Sequence, residues 1–268
     1  LYYPIKESIQ SILPIVDEFV VALGDCSPDD ATLQEIMSIQ SDKIKIIHTV
    51  WDLKKHAQQE YARQTDIAKE SCNGDWLFYI QSDEVIHEKY LPNIVKTCQD
   101  FKDDHEIEGF LFRFQHFWGD FDHYLVSHAW YPNEIRIIRN KKDIHSWRDA
   151  QSFRRILNFN GVDYYQKKGT YKLKVVEVDA CMYHYGWVRP PHRMQSKRKE
   201  FSLAYRGEKK TQKQFSSEPL CFNYGDLTRL PVFKETHPAV LKDWISKFDW
   251  YDKLYPFKND GSYVKHKH

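Results

Sequence analysis

Apolar residues recur at helical spacing over residues 4–13, where Ile5, Ile9, Ile12 and Leu13 share a face and Pro4 opens the first turn. The run DEFVVALGD (17–25) is short, apolar and closed by turn residues, the pattern of a buried parallel strand. A helix is expected over 27–40, capped by Ser27 and the Asp29–Asp30 pair, with Leu33, Ile36 and Met37 facing inward. KIKIIHTVW (43–51) reads as the next strand, and 57–72 as a helix with Tyr61, Ala68 and Cys72 on one side. NGDWLFYIQSDE (73–84) is a turn, a strand and then acids; YLPNIVKTCQDF (90–101) is helical. Strands alternating with helices of ten to fifteen residues predict βαβ units and an α/β fold with a parallel sheet.

The pattern changes after residue 107. Segment 108–119 alternates apolar and polar positions as a half-exposed strand does, and 134–140 and 171–187 continue in that manner. Residues 191–206 form a basic helical stretch. From Thr211 onward the chain is punctuated by prolines and rich in aromatics, with one helical patch at 238–248. Neither an internal repeat nor a domain linker is visible.

The length of 268 residues is enough to bury a core without disulfides or metal staples. A net charge of +1 excludes a nucleic-acid binder that works by bulk positive charge. Five scattered cysteines with no CxxC pair (Cys26, Cys72, Cys98, Cys181 and Cys221) suit reduced thiols and a cytoplasmic compartment. Cys72, Cys98 and Cys181 fall in apolar patterns and are expected as small core residues. No apolar run approaches the roughly 20 residues that span a bilayer.

Ligands of open α/β sheets gather outside the carboxyl ends of the strands. That rule places Asp25, the 50–56 loop and the 81–84 segment in one crevice. The strand of WLFYIQSDEVIHE (76–88) delivers Ser82, Asp83 and Glu84 to its end; hard oxygen ligands there suit Mg²⁺ or Mn²⁺. The plainer reading is a solvated acidic turn ahead of a helix. Segment 189–213 carries nine Lys and Arg against Glu200 and Glu208, so it can clamp a diphosphate near its start. Beyond Lys197 it reads as a solvated face, with an anionic acceptor or the inner face of a membrane as alternative contacts.

Five segments in order resemble family 2 glycosyltransferases of the GT-A fold, in a bacterial branch: residues 5–32, YARQTDIAKESCNGDW (61–76), GDWLFYIQSDE (74–84), SWRDAQSFR (146–154) and YHYGWVRPPHRMQSKRKEF (183–201). The resemblance implies a Rossmann-like, mixed but mainly parallel sheet flanked by helices over residues 1–210. Residues 211–268 would be an aromatic C-terminal extension packed on it. The chain opens almost at a helix, and the resemblance leads one to expect the family's first strand ahead of Leu1. The implied activity is inverting transfer of a sugar from a nucleotide-diphosphate-sugar donor to a glycan, lipid-linked or other hydroxyl acceptor, aided by Mn²⁺ or Mg²⁺.

By position, Asp25 would hold the base or ribose, and Arg63 the diphosphate or the acidic loop. Asp83 would ligate the metal. Gln81 stands where the family has the first acid of its Asp-x-Asp motif, so it brings no charge to the ion; Gln81 and Ser82 remain donor contacts, and Glu84 is a candidate helper. Asp149 would be the base that takes the acceptor proton, His184 a late metal or phosphate ligand, and Arg189 and Arg193 the cations at the leaving group. Trp187 could stack on a sugar or simply pack. The competing reading is a nucleotide-sugar-binding relative without turnover, favoured by Gln81 and disfavoured by Asp149.

Overall fold

The computed structural model describes residues 2–27, 29–126 and 130–255. In chain order the elements are α1 (Ile5–Ile12), β1 (Phe19–Leu23), α2 (Thr32–Met37), β2 (Ile44–His48), α3 (Leu53–His56), α4 (Gln59–Glu70), β3 (Trp76–Phe78), β4 (Glu84–Ile86) and α5 (Leu91–Asp100). Then follow β5 (Gly109–Trp118), β6 (Asn133–Arg139), β7 (Ile144–Trp147), β8 (Ser152–Ile156), β9 (Thr170–Tyr171) and β10 (Val175–Trp187). The chain closes with α6 (Pro191–Arg206), α7 (Glu208–Phe215), α8 (Lys242–Ser246) and α9 (Tyr251–Leu254). The helix at 27–40 is shorter than expected, because Asp30 ties its carboxylate to the Thr32 amide at 2.8 Å and the turns begin only there.

The architecture is mixed α/β, as expected, with a central sheet in the order β3-β6-β5-β10-β4. The balance of directions differs from the expected parallel majority. Only β1–β2 and β5–β10 run parallel among the described strands; the other pairings are antiparallel. Helical crossovers stop at α5, and direct connections favour antiparallel neighbours. Residues 144–171 form a three-stranded sheet, β7-β8-β9, that the apolar pattern did not disclose.

β5 was expected to be half exposed but lies between β6 and β10. Its Phe110 and Phe112 join Ile12 of α1, Ile94 of α5 and Met182 of β10 in one core, while Leu111 packs against the Phe153 cluster on the opposite face. Covering on both faces turns an alternating strand into a buried one. A third cluster unites Phe117, Tyr183 and Tyr185 with Leu227, Leu241 and Trp250, so the aromatic C-terminal stretch is packed onto the end of β5 and β10. Residues 256–268 of that stretch lie outside the described residues. Cys72, Cys98 and Cys181 are partly buried against the cores, and all five thiols are free.

β1 and β2 form a separate pair, not an extension of the central sheet. Ile5, Ile9, Val21, Phe78 and Ile137 line part of a cavity of about 1950 Å³ whose wall also includes the residues at the strand ends. Among the described residues, no helix is long and apolar enough to cross a membrane.

Candidate functional site

Chain direction explains the position of the site. β3 ends at Phe78 and the chain then turns through Gln81, Ser82 and Asp83 before entering β4. β10 brings His184 beside this turn, since His184 is in register with Glu84. The β7–β8 turn contributes Asp149, and the loop after β1 contributes Asp25. Asp25, Gln81, Ser82, Asp83, Asp149, His184 and Trp187 all line the same cavity.

Asp83 is 7 % exposed, and its carboxylate accepts a hydrogen bond from Lys197 Nζ at 3.1 Å. His184 Nε2 lies 3.7 Å from the same Oδ2 atom. Burial opposes the charge on Asp83, but Lys197 and His184 overcome it and hold its carboxyl well below the usual carboxylate range. Burial draws the Lys197 ammonium down to about 8 against the pull of Asp83. At neutral pH the pair is therefore ionised.

The tautomer of His184 follows from its neighbour. Burial, with His184 alongside, pushes His116 down to about 4, so His116 is neutral at pH 7. Its Nε2–H donates to the Tyr131 carbonyl at 2.9 Å, which leaves Nδ1 as an acceptor. His184 Nδ1–H must then donate across the 3.0 Å contact to His116 Nδ1.

Gly186 permits this crowding. A Cβ there would stand 2.6 Å from both Asp83 Oδ2 and His184 Nε2. Asp149 sits between two left-handed residues, Arg148 (φ 61°) and Ala150 (φ 63°), a strained backbone of the kind that clusters at functional sites. Its carboxylate accepts a hydrogen bond from the Tyr205 hydroxyl of α6. Gln81 bridges toward the same loop, donating to Tyr79 Oη at 3.0 Å and to the Ala150 carbonyl at 3.4 Å.

Other expected residues lie elsewhere. Arg63 lines a second cavity, of about 590 Å³, and is not on the wall of the first. It is bound to Glu60 at 2.6 Å and donates to the Val50 carbonyl at 2.7 Å, so it anchors the loop after β2. Arg193 is exposed in the first turn of α6 and is not part of the cavity wall. Arg189 is fully buried behind Tyr3, its guanidinium carbon 4.4 Å from that ring, and none of its three nitrogens has a hydrogen-bond partner. Glu84 is not free to help an ion: Arg136 binds it at 2.7 and 2.9 Å, and both are buried.

The residues present fit a divalent ion poorly. Among the described residues, no group of three or more His, Cys, Asp or Glu side chains is placed to hold a metal. Asp83 and His184 do converge, but an ammonium already occupies the carboxylate oxygen that faces the imidazole. Neutral Gln81 adds no compensating charge.

Four residues on the wall escaped the sequence reading: Tyr3, Trp51, Lys197 and Tyr205. Trp51 stands edge-on to Tyr61, and its buried Nε1–H has no acceptor. Only the 50–56 loop had been placed in the crevice, by its position after a strand. Lys197 and Tyr205 carried no separate signal within a uniformly basic helix.

No family model matches the sequence, and no curated protein matches it. Among solved structures the chain is similar to TarS of S. aureus, residues 1–349, with a TM-score of 0.37 and 15 % identity. The match covers 79 % of this chain and 65 % of that one.

Proposed function

We propose that this chain is an inverting glycosyltransferase that moves a sugar from a nucleotide-diphosphate donor to an acceptor hydroxyl. The observation that carries the reading is convergence: Asp25, Asp83, Asp149 and His184, drawn from four distant segments, meet on one cavity at the strand ends. The ordered resemblance of those segments to family 2 glycosyltransferases supports it.

In this reading Asp25 and Trp51 receive the nucleoside, with the carboxylate accepting from ribose or base and the indole offering a face. The diphosphate lies toward Asp83, Lys197 and His184. Asp149 removes the acceptor proton as that oxygen attacks the anomeric carbon. The bond from that carbon to the diphosphate oxygen breaks on the opposite face, and the nucleoside diphosphate departs with the electron pair. The Tyr205 hydrogen bond fixes the orientation of the Asp149 carboxylate. Trp187, stacked on Trp118 with ring centroids 4.7 Å apart, gives the acceptor side a rigid aromatic wall.

A thermal-shift panel of nucleotide sugars tests binding, since a ligand of the folded state raises its melting point. The best donor is then assayed for release of nucleoside diphosphate. Asp149→Asn is expected to lower kcat by about 100-fold or more with donor affinity retained. Full turnover by that variant would reject the base assignment. Donor binding without any turnover by the unaltered protein would favour the non-catalytic reading.

A further inference from the structure

Lys197 differs from its neighbours on α6. Lys199 is exposed and Arg198 half-buried, but Lys197 is 6 % exposed and points into the cavity wall. Its ammonium has three protons. One goes to Asp83 Oδ2 at 3.1 Å and one to the Gly186 carbonyl at 2.9 Å. The third has no acceptor among the described residues. Tyr3 and Phe201, both on the cavity wall, flank the ammonium at 5.1 and 5.5 Å from their ring centroids. Behind Tyr3, the buried Arg189 guanidinium adds a second positive charge with no hydrogen-bonded partner.

A buried ion pair is poor value as a mere structural tie, because desolvation offsets most of the attraction. Helix α6 could be held more firmly there by an apolar side chain. The spare proton and the cavity position together describe a site prepared for an anion.

We propose that Lys197 is the fixed cation that binds the donor diphosphate, in the place a divalent ion would take, so that transfer proceeds without metal. This rests on the transferase reading above and goes beyond it by naming the charge that stabilises the leaving group. As the anomeric bond breaks, negative charge grows on the diphosphate. A preorganised ammonium stabilises that state more than the ground state. Asp83 positions the ammonium instead of ligating an ion, and neutral Gln81 is then the suitable residue beside it, since no second carboxylate is required.

Calorimetry with UDP, GDP, dTDP, CDP and inorganic pyrophosphate, each in EDTA and in millimolar Mn²⁺, tests this. At least one nucleoside diphosphate is expected to bind in EDTA, with an affinity that Mn²⁺ changes by less than about threefold. Lys197→Met, which preserves packing, is expected to weaken that binding by about tenfold or more, and Lys197→Arg to restore most of it. Removal of the ammonium also frees Asp83 and His184. Paramagnetic resonance of free Mn²⁺ should therefore show uptake by Lys197→Met but not by the unaltered protein, a response that a purely structural lysine would not produce. Binding by the unaltered protein only with Mn²⁺, or undiminished binding in EDTA by a folded Lys197→Met protein, would overturn the proposal and leave the transferase reading standing. Failure of every nucleotide to bind under both conditions would remove both.

Discussion

At the scale of single residues, the site depends on one missing side chain. Gly186 lets the Asp83 carboxylate and the His184 ring close over the backbone that accepts from Lys197. Neither group can swing aside, because Asp83 is held by Lys197 and His184 by His116. Gly186→Ala should thus cost about 1–3 kcal/mol through overpacking and lower donor affinity and kcat together. Urea unfolding and a diphosphate-release assay check the two effects. A variant with native stability and rate would show that the packing yields freely. The same scale shows what the chain pattern revealed. Asp83 and Asp149 were legible because a strand end and a local motif mark them. Lys197 was not, since one buried lysine among nine basic residues of 189–213 has no distinguishing spacing. For Arg63 and Glu84 the sequence shows charge and position but not the neighbour to which each is bound, Glu60 or Arg136.

At the scale of elements, the helices and most strands were readable from periodicity. The basic stretch 191–206 coincides with α6, and 134–140 matches β6 to within one residue at each end. The small strands β4, β7, β8 and β9 were not, since each is two to five residues long and, unlike β1 or β3, lies in no unbroken apolar run of four or more. The end of β5 shows how an element is secured by charge. After Trp118 the chain turns through Asp120, whose carboxylate accepts from the amides of Asp122 and His123 and contacts His123 Nδ1 at 2.9 Å. The Tyr255 hydroxyl donates to the same carboxylate at 3.2 Å and ties the C-terminal stretch to the turn. Burial disfavours the imidazolium of His123, but the Asp120 hydrogen bond and charge prevail and raise its pKa above 6.5. A folded-state pKa above the unfolded value means that the stabilisation is complete below about 6.5 and is lost as pH rises through the folded value. The urea midpoint should therefore fall more steeply above pH 6.5 in the unaltered protein than in His123→Gln. Equal slopes would show that the pair contributes nothing to the pH dependence.

At the scale of the whole molecule, the site is assembled from segments far apart in the chain. Asp25 follows β1, Asp83 follows β3, and both line the same cavity. In the proposed reading the nucleoside end of the donor lies with the first and the diphosphate end with the second, so one bound molecule touches both. A ligand that binds the folded state at two places opposes local opening at each of them. Saturation with a nucleoside diphosphate should therefore slow amide exchange in the loop after β1 and in the turn between β3 and β4 together. Protection of only one of the two would show that the donor does not bridge them.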